Sequence, residues 1–449
     1  MNFISGHGIT TAGAHGYSYD NVIQIPSNAI YIRLTRYQST SYGDYQFELA
    51  LPSDDDLISS IGVNKQANPF FETFDTYNTN YDPDIVKEVV FSTAIDGGGG
   101  ATRRIPTCII TNSNTMLAAC EVRSSTADNS QTGIILARKS GGTWSYNNIL
   151  PYDPDTYGKC MNPSFVIDRT GAHGTNGRIF LFFLAFPITA NNNGYARDAS
   201  TAEMDCCYIY SDDDGVTWSA MTSIKSAWSA DWVWVGSSPS NGGQMTDGTL
   251  VIPCMGRFSN KWYSGVLYKK TSGTWTFSEK SLMGADNESA IFVGKDEKVY
   301  LNCRNENNGH TRNLYTLDFG TNKLAKVTYD YDPNLICQQS IAKGVINGTT
   351  CFMQSACDPY SYNTRNRVTV WISADGLVWQ RLIRVEDATT YGYSVVDVYS
   401  NRAAVIYEDQ GTITFVDLYN ALSVARTTIA RSLAQTMEQR MQLLLERYI

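Results

Sequence analysis

The chain has 449 residues, a formal net charge of −9, 43% hydrophobic and 18% charged residues. That balance excludes a disordered chain. With no stripe of Lys and Arg, it also argues against nucleic acid as a partner. Aromatic residues reach 12%, with Tyr 28 and Trp 9; flat rings suit the pleated surfaces of an all-β fold and also the faces of sugars.

The chain reads as three zones. Residues 1–75 carry two strand-like runs, NAIYIRLTRYQ and YQFELALP, and predict a small β-sandwich-like module entered partway. The phrase IQIPSNAIYIRLTRY resembles β modules of phage tail and bacterial surface proteins. Residues 76–420 are dense in short strands such as RIPTCIIT, GRIFLFFLAF, TLVIPCM, SAIFVG and AAVIYEDQG. Helical periodicity is nearly absent there, which predicts a sandwich, barrel or propeller. Residues 421–449 switch period: Leu422, Ile429, Leu433, Met437, Met441 and Leu444 recur with Arg, Glu and Gln between them. That pattern predicts an amphipathic C-terminal helix, packed on a rim or forming a short coiled coil that makes a homo-oligomer.

A recurring turn selects among the all-β folds. Ser211-Asp212-Asp213-Asp214-Gly215-Val216-Thr217-Trp218 fits S-x-D-x-G-x-T-W, and partial copies end at Trp144, Trp275 and Trp379. In such a clip the Asp accepts backbone N–H groups, Gly takes positive φ and Trp packs back on the strands. A clip repeated between strands is what radial blades produce.

Cysteine numbers 10 and His 4, without a CxxC pair, so a zinc site is not expected. Cys108, Cys120, Cys254 and Cys303 stand in apolar runs and are expected to be buried thiols. No apolar run reaches the roughly 18–20 residues that cross a bilayer. The opening MNFISGHGITTAGAHG lacks the basic-then-apolar pattern of a signal peptide. The expected location is extracellular or cell-surface by another route, or a virion tail component; a fragment is the other reading.

The S-x-D-x-G-x-T-W turn is the Asp box of the sialidase superfamily, and further motifs resemble that family in order along the chain. Arg104-Ile105-Pro106 resembles the Arg-Ile-Pro that opens the propeller. Asp128 follows the strand ending at Arg123, and Asn287-Glu288-Ser289 resembles the family's Asn-Glu-Ser. Arg304 lies in LNCRN, Arg365 in YNTRNRVTVWIS, Tyr393 in Tyr391-Gly392-Tyr393-Ser394, and Glu408 ends IYE. The resemblance implies a six-bladed β-propeller that hydrolyses terminal sialic acids from glycoproteins, glycolipids and oligosaccharides, without a metal or organic cofactor.

It also implies roles. Arg104, Arg304 and Arg365 would hold the carboxylate of the sugar through charge-assisted bonds. A carboxylate nucleophile would be repelled by that carboxylate, and sialidases use a tyrosine instead, here Tyr393 with Glu288 as its proton acceptor. Asp128 would be the acid and then the base. Arg123 is a candidate for the ring hydroxyls, or else a salt bridge to Glu121. Trp232 or Trp234 could wall the acyl or glycerol arm, or pack in the core. Rivals stand close in sequence: Arg103 for Arg104, Arg367 for Arg365, Asp153 and Asp155 for Asp128, and Tyr391 for Tyr393. Other function classes remain open at this point: a sialic-acid-binding recognition protein without turnover, an intramolecular trans-sialidase, a hydrolase for a deaminated sialic acid, or an endo-acting polysialic acid depolymerase.

Overall fold

The computed structural model describes residues 85–418 apart from 129, 151–156, 188–203, 260, 308–310, 328–335, 347 and 359–363, together with three earlier strands. The chain divides into two units, Met1–Phe71 and Glu72–Ile449. In the first, strands Asp20–Ile23, Tyr31–Tyr37 and Asp44–Ala50 form a three-stranded antiparallel sheet. The C-terminal helix expected over 421–449 lies outside the described residues.

The second unit is all-β and propeller-like. Strands of successive antiparallel ladders pair with their neighbours in sequence. The first ladder comprises Thr102–Ile110, Met116–Arg123, Thr132–Ser140 and Thr143–Leu150; a second begins at Tyr157–Asp168. These two count as one eight-stranded sheet through a single parallel pair, Thr132 with Lys159. Further ladders begin at Trp232–Ser237, Asp286–Val293 and Ile336–Ile346. The last, Ser394–Tyr399, Arg402–Asp409 and Thr412–Asp417, takes its outer strand from the other end of the unit, where Lys87–Phe91 pairs with Thr412–Asp417. This exchange fastens the two ends of the ring together.

Burial follows from position in the ladder. Every residue of Thr102–Ile110 is buried, whereas the outer strand Thr143–Leu150 alternates toward solvent; an inner strand is covered on both faces, an outer one on a single face. Apolar layers fill the spaces between consecutive ladders, and one joins the last ladder to the first through Val395, Ala404, Phe415, Cys108 and Cys120. All ten cysteines are free and buried, Cys108, Cys120, Cys254 and Cys303 among them as expected.

The four Trp-terminated turns all connect a third strand to the outermost one: before Trp144, Trp218, Trp275 and Trp379. In the complete copy Asp213 accepts Thr217 N–H at 2.8 Å and Thr217 Oγ1 at 2.6 Å, and Ser211 Oγ accepts Gly215 N–H at 2.9 Å. The copy at Ser373 repeats this with Asp375, which accepts the N–H groups of Leu377 and Val378. Its Gly376 has φ +79°, and a Cβ there would stand 2.5 Å from the Phe292 ring. Glycine is therefore required on both conformational and steric grounds.

Candidate active site

The residues singled out in the sequence come from three kinds of position that an antiparallel ladder brings to one edge. Arg104 and Glu288 stand near the starts of first strands, and Tyr393 directly precedes one. Arg123 and Arg304 stand at or near the ends of second strands, and Asp128 and Arg365 lie in the loops that follow such strands. Two first strands are bulged where they carry these residues, between Arg104 and Thr107 and between Asp286 and Ser289. Bulges re-aim side chains that regular alternation would send elsewhere.

Arg104 and Arg103 point apart. Arg103 is fully buried and bonded to Asp96 at 2.7 and 2.5 Å. Arg104 donates through Nε to Glu408 at 2.8 Å, and its guanidinium lies 5.0 Å from the Tyr391 ring and 5.6 Å from the Tyr393 ring. The next residue, Ile105, has φ 48°, an unusual value for a β-branched side chain, and its N–H donates to Glu408 at 2.7 Å. Glu408 also accepts the N–H of Tyr393 at 3.3 Å. Burial works against the Arg104 charge, but Glu408 outweighs it and holds the guanidinium above its ordinary pKa.

Glu288 is buried and bridges two elements. One oxygen accepts the Tyr393 hydroxyl, and the other accepts Arg304 Nη1 at 2.5 Å. Burial opposes the Arg304 charge as well, and Glu288, then Cys337 and Tyr393, hold it up. Arg365 donates to the Tyr391 carbonyl at 2.8 Å. Its pKa is raised first by Cys337, against burial, and then by Tyr393. Tyr393 thus lies within electrostatic reach of Arg104, Arg304 and Arg365 alike. Among the described residues no carboxylate forms a salt bridge with Arg365. Gly392, at φ +103°, leaves room for this arginine, since a Cβ there would meet its Cδ at 2.7 Å.

The rival Arg367 is separated from Arg365 by backbone geometry. Its φ is 57°, and its guanidinium turns to Asp358 at 3.9 Å. The strand begins only at Val368, so the two arginines do not share a strand face. Tyr391 contributes its ring and carbonyl, and Tyr393 the hydroxyl that reaches Glu288. Asp153 and Asp155 lie outside the described residues.

Asp128 is half exposed. It accepts Arg123 Nη1 at 2.8 Å and stands 3.8 Å from Arg104 Nη1. Arg123 is buried and also bonded to Glu121 at 2.5 Å; it joins Glu121 to Asp128 rather than serving one of them alone. Trp232 departs from the wall expected of it. It is buried in the core, edge-on to Phe258 at 5.7 Å and to Phe277 at 5.2 Å. A bulge between Trp232 and Trp234 breaks the alternation, so the two indoles enter different apolar layers. Trp234 instead lines a cavity with Met161, Asn162, Leu184, Phe186, Met204 and Met255. Asn162 N–H donates to Glu121 at 2.7 Å, which ties this cavity to Arg123 and Asp128. The sequence reading missed Lys159, a buried lysine 5.7 Å from the Phe186 ring, whose pKa is lowered by burial and then by Arg123.

The family model for the BNR repeat-like domain matches residues 114–406, and the chain belongs to that family. Among curated proteins it is 29% identical over 353 residues to a sialidase of Clostridium perfringens, covering 70% of this chain and 88% of that one. It is 26% identical over 387 residues to a sialidase of Paraclostridium sordellii, covering 76% and 89%. Among solved structures, Trypanosoma rangeli sialidase matches with a TM-score of 0.65 at 16% identity, over 80% of this chain and 63% of that one. With these relatives the chain falls in the sialidase superfamily of glycoside hydrolases.

Proposed function

We propose that the protein is an exo-acting sialidase that releases terminal sialic acids with retention of configuration, and that its eight-stranded sheet represents two blades of a six-bladed propeller. The observation that carries the reading is the Tyr393 hydroxyl on the buried Glu288 carboxylate, with three guanidiniums in electrostatic reach of that phenol. An isolated phenol titrates near 10 and is a weak nucleophile. A carboxylate fixed on its hydroxyl can take the proton as the bond to carbon forms.

In the proposed reaction Arg104, Arg304 and Arg365 hold the substrate carboxylate. Arg365 makes no salt bridge with a described carboxylate, and Glu288 acts on it only through space. Tyr393 Oη attacks the anomeric carbon while its proton passes to Glu288, and Asp128 protonates the departing oxygen. Water then attacks the glycosyl-tyrosine. Asp128 takes a proton from it, Glu288 returns one to Tyr393, and two inversions give net retention. The half-exposed position of Asp128 suits a group that must meet both a leaving group and a water.

Hydrolysis of a 4-methylumbelliferyl sialoside tests the reading, with proton NMR following the first anomer released. The α-anomer is expected first. Release of the β-anomer first overturns the double displacement. No turnover of any sialoside by a protein that still binds one overturns the hydrolase.

A further inference from the structure

The loop between strands Trp232–Ser237 and Gly243–Gln244 leaves its own ladder and bonds to four others. Ser237 Oγ donates to the Asn162 carbonyl at 2.7 Å, and the Ser240 carbonyl accepts Ser164 Oγ. Asn241 accepts Thr107 Oγ1 at 2.6 Å and Phe165 N–H at 3.2 Å, and it donates to the Cys108 carbonyl at 2.6 Å. Ser238 Oγ accepts the N–H of Ser289 at 2.6 Å. The Pro239 carbonyl accepts Nε2 of Gln338, whose Oε1 accepts the N–H of Ser394 at 3.1 Å. Ser237, Ser238, Ser240, Asn241 and Gln338 are all buried.

The first strand of each ladder has a neighbour on one side only, apart from the single parallel pair that Lys159 of the second ladder makes with Thr132. Its other edge carries N–H and C=O groups that, once buried, need partners from outside the ladder. The loop supplies them. Two of the bonds end one residue from the proposed chemistry: Ser289 follows Glu288, and Ser394 follows Tyr393. The phenol and the carboxylate belong to different ladders, yet their backbones are anchored on two adjacent residues, Ser238 directly and Pro239 through Gln338.

We propose that Ser238, Pro239 and Gln338 are positioning residues that hold Tyr393 and Glu288 in register across the two ladders. The proposal rests on the sialidase reading for its kinetic readout, though not for its structural one. None of the three touches the reacting atoms. They act by limiting how far one ladder slides against the other, and a misplacement of about 1 Å at a reacting centre can cost about 10²-fold in rate.

Gln338→Met keeps the volume and removes the bonds to Pro239, Gln339 and Ser394. A fall in kcat of about 10- to 100-fold is expected, with KM within about twofold. In a Tyr393→Phe background the same substitution should cause no further loss, because the contact it positions is already gone. Gln338→Glu, which keeps the acceptor for Ser394 N–H, should recover part of the rate. Crystal structures of the wild type and Gln338→Met supply the readout that needs no turnover: the Tyr393–Glu288 contact should open in the variant. An unchanged contact, a wild-type kcat, or an equal loss in the Tyr393→Phe background overturns the proposal. Should Gln338→Met fail to fold, Ser238→Ala removes one acceptor from the same loop and is read in the same ways. A wild type that turns over no sialoside sinks the sialidase reading, and the crystallographic arm still decides the positioning.

Discussion

At the edge where the first strands begin, Arg104, Arg123 and Arg304 each meet a carboxylate: Glu408, Glu121 with Asp128, and Glu288. Each of these guanidiniums is held above its ordinary pKa although burial opposes its charge. At the edge where the same strands end, the buried Asp397 and the half-buried Arg169 act on each other with the opposite result. Burial pushes the Asp397 carboxyl up to about 6 in spite of Arg169, and it pulls Arg169 down in spite of Asp397. Asp397 accepts Ile110 N–H at 2.6 Å, and Arg169 lies 3.8 Å over the Tyr399 ring. For the three arginines pairing prevails over desolvation, although burial still pushes the paired Glu121 carboxyl up; for Asp397 and Arg169 burial prevails on both groups. The arginine charges are thus reinforced where an anionic substrate would be met, while burial works against the charge of both Asp397 and Arg169.

The largest expected effect breaks the first edge at its centre. Tyr393→Phe leaves Glu288 and the arginines in place but removes the nucleophile, so kcat/KM should fall by at least about 10³-fold while the fold survives, as read by circular dichroism. Activity near wild type would move the nucleophile elsewhere and end the contrast between the edges. Next in size is Arg304→Lys, which replaces a planar fork by a point charge. A loss of about 10²-fold in kcat/KM is expected, most of it in KM if the guanidinium holds the substrate carboxylate. A loss confined to kcat would mean that Arg304 serves Glu288 rather than the substrate.

Asp128→Asn should divide substrates by leaving group. A poor alcohol leaving group needs the proton, and its release should slow by about 10²-fold or more. A 4-methylumbelliferyl group leaves without it, so its first step should slow by less than about tenfold. Equal slowing of both would make Asp128 a partner of Arg123 and nothing further.

Much of this edge was legible in the sequence because its residues sit inside short contiguous motifs. Arg104 precedes Ile-Pro, Glu288 stands within Asn-Glu-Ser, and the clip ending at Trp218 marks a strand-to-strand turn. Contacts made by backbone irregularity were not legible. The bulge that parts Trp232 from Trp234, and the positive φ that turns Arg367 away from Arg365, are properties of tertiary packing and carry no local signature. The loop Ser237–Asn241 reads in sequence as an ordinary polar connection, since its partners lie in four other ladders. Glu408 could be placed in the last ladder, but its bond to Arg104 spans nearly the whole unit and rests on ring closure. The Asp397–Arg169 pair left no sequence signal, because what distinguishes it is burial and not residue type.

The smallest effect tests the second edge through pH. An aspartate titrates near 3.8 when unfolded and Asp397 near 6 when folded. Between those values the folded state binds the extra proton, so stability falls as pH rises through that window. A shift of about two units corresponds to a penalty of about 3 kcal/mol, fully present above pH 6 and absent below pH 4. Asp397→Asn keeps an oxygen for Ile110 N–H and carries no charge to desolvate, but it leaves Arg169 without its carboxylate. The variant should therefore gain about 1–2 kcal/mol over wild type at pH 7.5 and converge with it near pH 4. Urea unfolding at both values measures this as a difference in which the other titrating groups cancel. A variant less stable at pH 7.5 would mean that Arg169 depends on the carboxylate more than burial opposes it. The second edge would then keep its charge as the first does, and the contrast between them would reduce to one of substrate access.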